Sequence, residues 1–191
     1  MKWFPSYNYI LASKSPRRQE LLHSFGIEFQ VIVKEVEEDY PENLVKEEIP
    51  VFLAVLKSKP FLNELQENDL LITADTIVWL TYKILGKPNN VEEAISMLKE
   101  LSGQEHEVIS GVCLSSKNKQ KTFYSVSKVR FKKLSDYEIE YYVSRFKPFD
   151  KAGSYGIQEW IGFIGITHIE GSFYNVMGLP IQKLYEEIQK F

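Results

Sequence analysis

The first hydrophobic positions of the chain predict a strand, a tight turn and a helix. Residues 9–12 form a short apolar run that is typical of a buried strand. Ser15 and Pro16 then suit the N-cap and the first position of a helix, where the missing N–H of proline costs nothing. An apolar helical face follows, and Gly26 is placed to end the helix.

The rest of the chain alternates between strand-like and helix-like patterns. Further strands are predicted at 29–33, 70–73, 77–80, 84–85, 108–115, 122–131 and 161–169. Further helices are predicted at 50–59, after the capping residues Asn90 and Ser135, and from Pro180. Because some strands are joined by helices and others by hairpins, the pattern predicts an α/β protein with a mixed, partly antiparallel sheet.

Composition excludes several functional classes. The 191 residues carry 23 Lys and Arg against 26 Asp and Glu, a formal net charge of −3. Such a balance does not favour a broad nucleic-acid interface, although a local basic cluster remains compatible with a small anionic ligand. The single cysteine, Cys113, excludes an intramolecular disulfide and a thiolate metal cage.

No segment predicts insertion into a membrane or export. The longest apolar run, 51–56, is far shorter than the ~20 residues of a membrane-spanning helix. The N-terminal segment lacks the apolar core and cleavage site of a signal peptide. The expectation is therefore a soluble, cytoplasmic protein without a membrane partner.

The turn after the first strand is a candidate phosphate site. Ser13 and Ser15 precede a helix N-terminus, whose free N–H groups stabilise anions, and Arg17 and Arg18 add two guanidiniums that can bind phosphate bidentately. The spacing is not that of a Walker loop. The alternative is a capped helix whose arginines face water.

Asp75 is the candidate for proton transfer or metal binding. It follows an apolar and β-branched run, where a buried strand is expected to emerge, and carboxylates at strand ends face ligand crevices in α/β sheets. Such a group can hold Mg²⁺ or accept a proton from water. The alternative is an aspartate that stabilises a turn.

Two other segments each have two interpretations, and two lysines have one. The acidic run at 37–39 is either a solvated face or, beside a nucleotide–metal complex, a source of a metal ligand. Lys57 and Lys87 alone are ordinary surface lysines. The loop 150–158 is either a flexible turn or, with two glycines in four positions, a segment that approaches a ligand closely.

In combination, these segments resemble the Maf family of nucleoside triphosphate pyrophosphatases over nearly the whole chain. The matching stretches are SKSPRRQELL at 13–22, ADT at 74–76, GKP at 86–88 and DKAGSYGIQ at 150–158. The segments LKELSG and GSFYNVMGLP also agree. The form of the 150–158 loop resembles the branch of the family that acts on dTTP and UTP.

The resemblance implies a fold, a reaction and a cofactor. The fold would be a single Maf-like domain over residues 1–191, an elongated sheet flanked by helices in two lobes with a central cleft, similar to inosine triphosphatases. The reaction would be hydrolysis of dTTP and UTP to the monophosphate and pyrophosphate with Mg²⁺ or Mn²⁺. Members of the family often form dimers, so a homodimer is one expectation. The alternative function is a non-catalytic nucleotide-binding regulator of septum formation.

The resemblance also implies roles for individual residues. Asp75 would be the general base or a metal ligand, and Glu38 would bind metal or orient water. The phosphate-binding residues would be Ser13, Arg18, Lys57 and Lys87. Gln158 would belong to the loop that recognises the base. The acidic motif departs from the family pattern, because it reads Glu35-Val36-Glu37-Glu38 where aspartates are usual.

Overall fold

A computed structural model describes residues 3–191, which fold into a mixture of helices and strands. Within these residues the strands are β1 (Asn8–Leu11), β2 (Phe29–Val31), β3 (Asp69–Leu80), β4 (Lys83–Leu85), β5 (Glu105–Ser115), β6 (Gln120–Phe131) and β7 (Ile166–Glu170). The helices are α1 (Pro16–Ser24), α2 (Glu48–Ser58), α3 (Val91–Leu101), α4 (Asp136–Phe146), α5 (Trp160–Gly165), α6 (Phe173–Met177) and α7 (Ile181–Gln189). Short 3₁₀ turns lie at Lys59–Phe61 and Ala152–Ser154.

The strands form one mixed sheet in the order β2-β1-β3-β5-β6-β7, with β4 paired to β3. The strand β1 runs parallel to both β2 and β3, whereas β4 is antiparallel to β3 and β7 is antiparallel to β6. Parallel neighbours require the crossover helices α1 and α2, while the β3–β4 connection is a hairpin. The mixed, partly antiparallel sheet predicted from the sequence is therefore confirmed.

The chain divides into two compact units, in agreement with the two lobes expected from the sequence. The first unit comprises the residues up to Asp75 together with Ser110–Ser125 and Gly178–Phe191, and the second comprises Thr76–Ile109 and Val126–Met177. The strands β3, β5 and β6 contribute residues to both units.

Each unit has its own buried apolar residues. In the first, residues 70–72 of β3 are fully buried, and Leu11 and Leu22 are buried with them. In the second, α3 packs against α4, and each of these helices buries apolar residues. In residues 3–191, no helix has the length and apolarity needed to cross a bilayer.

The start of α1 differs in detail from the prediction. Ser15 occupies the N-cap position, but its side chain makes no capping hydrogen bond. Instead, the Ser15 backbone N–H donates to Oγ of Ser13 at 3.2 Å. The N-cap position of Ser15 is thus as predicted but its hydroxyl does not cap the helix, while Gly26 does end the helix with a positive φ of 83°.

The position of Asp75 was predicted wrongly. The apolar runs on either side of it form a single strand, β3, so Asp75 lies inside this strand and not at its end. Burying a carboxylate within a strand costs free energy unless the charge is paired. The ammonium of Lys57 provides that pair for Asp75.

The strand predicted at 161–169 was also wrong in its first half. Residues Trp160–Gly165 form the helix α5, and the strand begins only at Ile166. The β-branched residues of this run favour a strand, but tertiary packing outweighs that preference. A Cβ at Gly162 would lie 1.9 Å from the carbonyl oxygen of Ile157, so only glycine permits the close return of the chain at this point. The short helix α6 was not predicted.

Candidate active site

A cluster of charged side chains lies in the first unit around Asp75. Nζ of Lys57 lies 2.6 Å from Oδ1 of Asp75 and 3.2 Å from Oε1 of Glu38. The side chains of Lys57 and Asp75 are 17% and 13% exposed, whereas Glu38 is 48% exposed. The pair is thus largely shielded from water, and the outer carboxylate faces solvent, where a ligand can reach it.

Helix and strand periodicity explain how Lys57 meets Asp75. The buried hydroxyl of Thr73 donates to the carbonyl oxygen of Ala54 at 2.7 Å, which ties β3 to α2. Asp75 follows Thr73 by two residues and so lies on the same face of the strand, while Lys57 follows Ala54 by three residues and lies on the same side of the helix. One buried hydrogen bond therefore fixes the register that brings the ammonium to the carboxylate.

Arg18 binds the backbone beside this cluster. Its Nη1 donates to the carbonyl oxygen of Ala74 and its Nε donates to that of Gly178, each at 2.8 Å. Burial lowers the pKa of the Arg18 guanidinium, and the nearby carboxylates of Asp75 and Glu38 oppose that shift. Arginine remains charged despite such a shift, so the guanidinium contributes positive potential next to Asp75.

Ser13 lies in the turn that precedes α1 and is buried. Its Oγ accepts the N–H of Ser15, and its carbonyl oxygen accepts Nε2 of Gln19 at 3.1 Å. The predicted phosphate-binding turn is therefore held by internal hydrogen bonds. Five of the predicted site residues belong to the first unit: Ser13, Arg18, Glu38, Lys57 and Asp75.

The other two predicted residues, Lys87 and Gln158, belong to the second unit. Lys87 follows β4 and is exposed. Gln158 lies in the loop between α4 and α5, and its Oε1 is buried without a hydrogen-bond partner among residues 3–191. A buried acceptor without a partner is uncommon in native proteins, so this oxygen is an exception to the rule that buried polar atoms are paired.

The loop that carries Gln158 contains contacts that the sequence interpretation missed. Nζ of Lys151 lies 2.7 Å from Oδ1 of Asp150 and 3.1 Å from Oε1 of Glu159. The hydroxyl of Tyr142 donates to Oε2 of Glu159 and accepts the N–H of Gly156 at 3.0 Å. Tyr142 has the helical spacing of an ordinary core residue, so only its long-range contacts distinguish it.

The carboxylates of this cluster suit a divalent cation that takes its other ligands from water and from a bound molecule. Within residues 3–191, no group of three or more His, Cys, Asp and Glu side chains is placed to hold a metal ion unaided. Glu38 and Asp75 each supply a carboxylate within 3.2 Å of the Lys57 ammonium. Mg²⁺ usually takes one or two protein carboxylates, waters and substrate phosphates, so two carboxylates suffice for a nucleotide-bound ion.

The fold resembles that of one solved structure over nearly its whole length. The Ham1 protein of Staphylococcus aureus covers 96% of this chain, and the match covers 98% of that protein, with a TM-score of 0.55 and 17% identity. At this identity the similarity concerns the fold. It agrees with the mixed α/β architecture described above.

Curated relatives are much more similar in sequence. The dTTP/UTP pyrophosphatase of Phocaeicola vulgatus is 53% identical over 96% of both chains. The protein of the same name from Flavobacterium psychrophilum is 52% identical over 96% of this chain and 94% of the relative. The family model described as Maf-like protein matches residues 8–191. The chain therefore belongs to the Maf family.

Proposed function

We propose that this protein is a nucleoside triphosphate pyrophosphatase that hydrolyses dTTP and UTP to the monophosphate and pyrophosphate. The observation that carries the proposal is the position of Lys57 between the carboxylates of Asp75 and Glu38, with the Arg18 guanidinium beside them. The dTTP/UTP pyrophosphatase name of relatives that are about half identical supports the same reaction and substrate class.

The charge pattern suits attack of water on a polyphosphate. A triphosphate repels an oxygen nucleophile because it carries several negative charges, and cationic side chains reduce that repulsion. Lys57 and Arg18 would stabilise the phosphate charge, and Asp75 would accept a proton from the attacking water. Phosphoryl chemistry of this kind depends on positioning and charge, so it requires no covalent nucleophile from the protein.

A divalent metal ion completes the proposed site. Asp75 and Glu38 would hold the ion together with the substrate phosphates, and the ion would supply charge neutralisation to the bound triphosphate. We expect Mg²⁺ or Mn²⁺ for this role.

The remaining predicted residues keep proposed roles. Ser13 and Lys87 would bind phosphate, and Gln158, in the loop that the family resemblance assigns to base recognition, would contact the base. A hydrogen-bonding group that is left without a partner discriminates strongly among ligands, whereas a single methyl group on the base is worth only ~1–3 kcal/mol.

We further propose that both units act as one Maf-like domain over residues 1–191, in the cytoplasm and as a homodimer. Sedimentation of the purified protein tests the last point.

The purified protein, incubated with dTTP, UTP and GTP in the presence and absence of Mg²⁺, tests the proposed function. Pyrophosphate and the corresponding monophosphate should appear in equal amounts from dTTP and UTP, and only with the metal. Release from GTP alone would assign a different base specificity. Release from none of these substrates would contradict the enzyme and favour a nucleotide-binding regulator.

A further inference from the structure

The turn that carries Gln158 is held at both of its ends. The N–H of Glu159 donates to the carbonyl oxygen of Gly156 at 3.0 Å, which closes a tight turn with Gln158 inside it. The N–H of Gly156 in turn donates to the hydroxyl of Tyr142 at 3.0 Å, and that hydroxyl donates to the carboxylate of Glu159. Both ends of the turn therefore bind one atom of α4.

Packing and charge reinforce this arrangement. The side chain of Glu159 folds over Gly156 so closely that a Cβ there would lie 2.8 Å from Cδ of Glu159. The second carboxylate oxygen pairs with Lys151, whose side chain is only 9% exposed. Burial, followed by the hydrogen bond to Glu159, raises the pKa of Tyr142, so its hydroxyl remains protonated and continues to donate.

We propose that Tyr142 and Glu159 are positioning residues, which hold the turn so that the side chain of Gln158 is fixed for base recognition. The inference rests on the proposed function and extends it, because it assigns a role in substrate selection to two side chains of the second unit. Fixing an acceptor before the ligand binds reduces the conformational entropy lost in binding and sharpens discrimination. The Tyr142 hydroxyl suits this role because it binds both the N–H of Gly156 and the carboxylate of Glu159, and so restrains the two ends of the turn.

The central variant is Tyr142→Phe, which removes one oxygen and retains the ring that stacks on Phe146. We expect hydrogen exchange at the amides of Gly156 and Glu159 to rise ~10-fold, the usual scale for loss of one charge-assisted hydrogen bond. The affinity for a nonhydrolysable α,β-imido-dUTP should fall by a similar factor, while the affinity for inorganic triphosphate, which has no base, should stay within about twofold. Tyr137→Phe is the matched control, because Tyr137 lies on the same helix and is 78% exposed.

A double-variant cycle separates positioning from general stability. In a Gln158→Ala background, Tyr142→Phe should change the affinity for the imido nucleotide less than about twofold, because the group that it positions is gone. Glu159→Gln keeps the shape of the side chain and an acceptor for Tyr142. It should give a smaller loss in the same direction, and it serves as the test if Tyr142→Phe does not fold.

Each result decides the proposal. Faster exchange in the turn, together with a base-dependent loss of affinity that vanishes without Gln158, supports it. Unchanged exchange, or equal losses for the imido nucleotide and inorganic triphosphate, overturns it. Because exchange and binding need no turnover, they decide the role of Tyr142 even if the wild-type protein cleaves no triphosphate, a result that would contradict the proposed function alone.

Discussion

Nζ of Lys57 lies 2.6 Å from Oδ1 of Asp75, and both side chains are mostly shielded from water. A partly buried carboxylate of this kind needs a cationic partner, because removing one member of such a pair leaves an uncompensated charge. The same ammonium lies 3.2 Å from Glu38, so one lysine holds both of the carboxylates proposed to bind metal.

Replacing the shared ammonium should therefore affect both carboxylates. Lys57→Met keeps the aliphatic stem but removes the charge, and we expect at least a ~10-fold loss in kcat for dTTP because phosphate charge is no longer neutralised. Lys34→Met is a control, since Lys34 forms its ion pair with Glu64 outside this cluster. Steady-state pyrophosphate release checks the result, and equal rates for the two variants would contradict the role of Lys57.

Arg18 should contribute to stability as well as to charge. Arg18→Lys keeps the charge but cannot reproduce the pair of bonds from Nε and Nη1 to Gly178 and Ala74. We expect a loss of about 1–3 kcal/mol in the free energy of unfolding, from two bonds donated by a charged group. Urea denaturation measures this loss. The exposed Arg145, changed to lysine, should alter stability by less than about 0.5 kcal/mol. A similar result for both variants would show that the Arg18 bonds do not stabilise the fold.

Metal binding should require the nucleotide. Only the two carboxylates of Glu38 and Asp75 are proposed as protein ligands, and Mg²⁺ takes its other ligands from water and phosphate. Millimolar Mg²⁺ alone should therefore leave the thermal unfolding midpoint nearly unchanged, while Mg²⁺ with α,β-imido-dUTP should raise it, because a ligand that binds the native state stabilises that state. A large increase with Mg²⁺ alone would indicate a preformed metal site.

His106 should make the stability of the protein dependent on pH. This residue is 2% exposed, and its ring stacks on Phe131. A hydrogen bond joins its Nε2 to the hydroxyl of Tyr155. Burial lowers the pKa of His106 to about 4, below its ordinary value of 6.5. As the pH falls, the unfolded chain therefore takes up this proton before the folded protein does. The contribution of His106 to the free energy of unfolding is full above pH 6.5 and is lost progressively toward pH 4.

The magnitude of this pH effect follows from the same shift. About 3 kcal/mol of stability should be lost across that window. Urea denaturation at a series of pH values should show the steep decline for the wild type, and also for His168→Gln, since His168 is exposed. His106→Gln should have a lower stability at neutral pH but a flatter dependence, and an equally steep decline in that variant would contradict the assignment to His106.

The sequence predicted the sheet and most helices because their periodicity is local. The apolar face of α3 and the full capping box of Ser135 and Glu138 are examples, since each depends on residues within one or two turns. The failures depend on long-range packing. The helix α5 forms where β-branched residues favour a strand because the chain returns closely over Ile157, and no local pattern encodes that approach.

The candidate site was predicted in part for a similar reason. Motif resemblance identified Lys57, Glu38 and Asp75, and the structure brings these three together. It did not identify the contacts of Tyr142, whose hydroxyl binds Gly156 and Glu159 at sequence separations of 14 and 17 residues. A tyrosine on the apolar face of a helix predicts core packing, and only its hydroxyl contacts indicate more.

The most direct test of the account compares the wild type with Asp75→Asn, using dTTP and Mg²⁺. The account predicts that the wild type converts dTTP to dTMP and pyrophosphate. It also predicts that Asp75→Asn, whose amide can still accept a hydrogen bond from Lys57, gives the same circular dichroism spectrum but turns over at least ~100-fold more slowly, as loss of a general base requires. Turnover by the folded Asp75→Asn protein at the wild-type rate would contradict it.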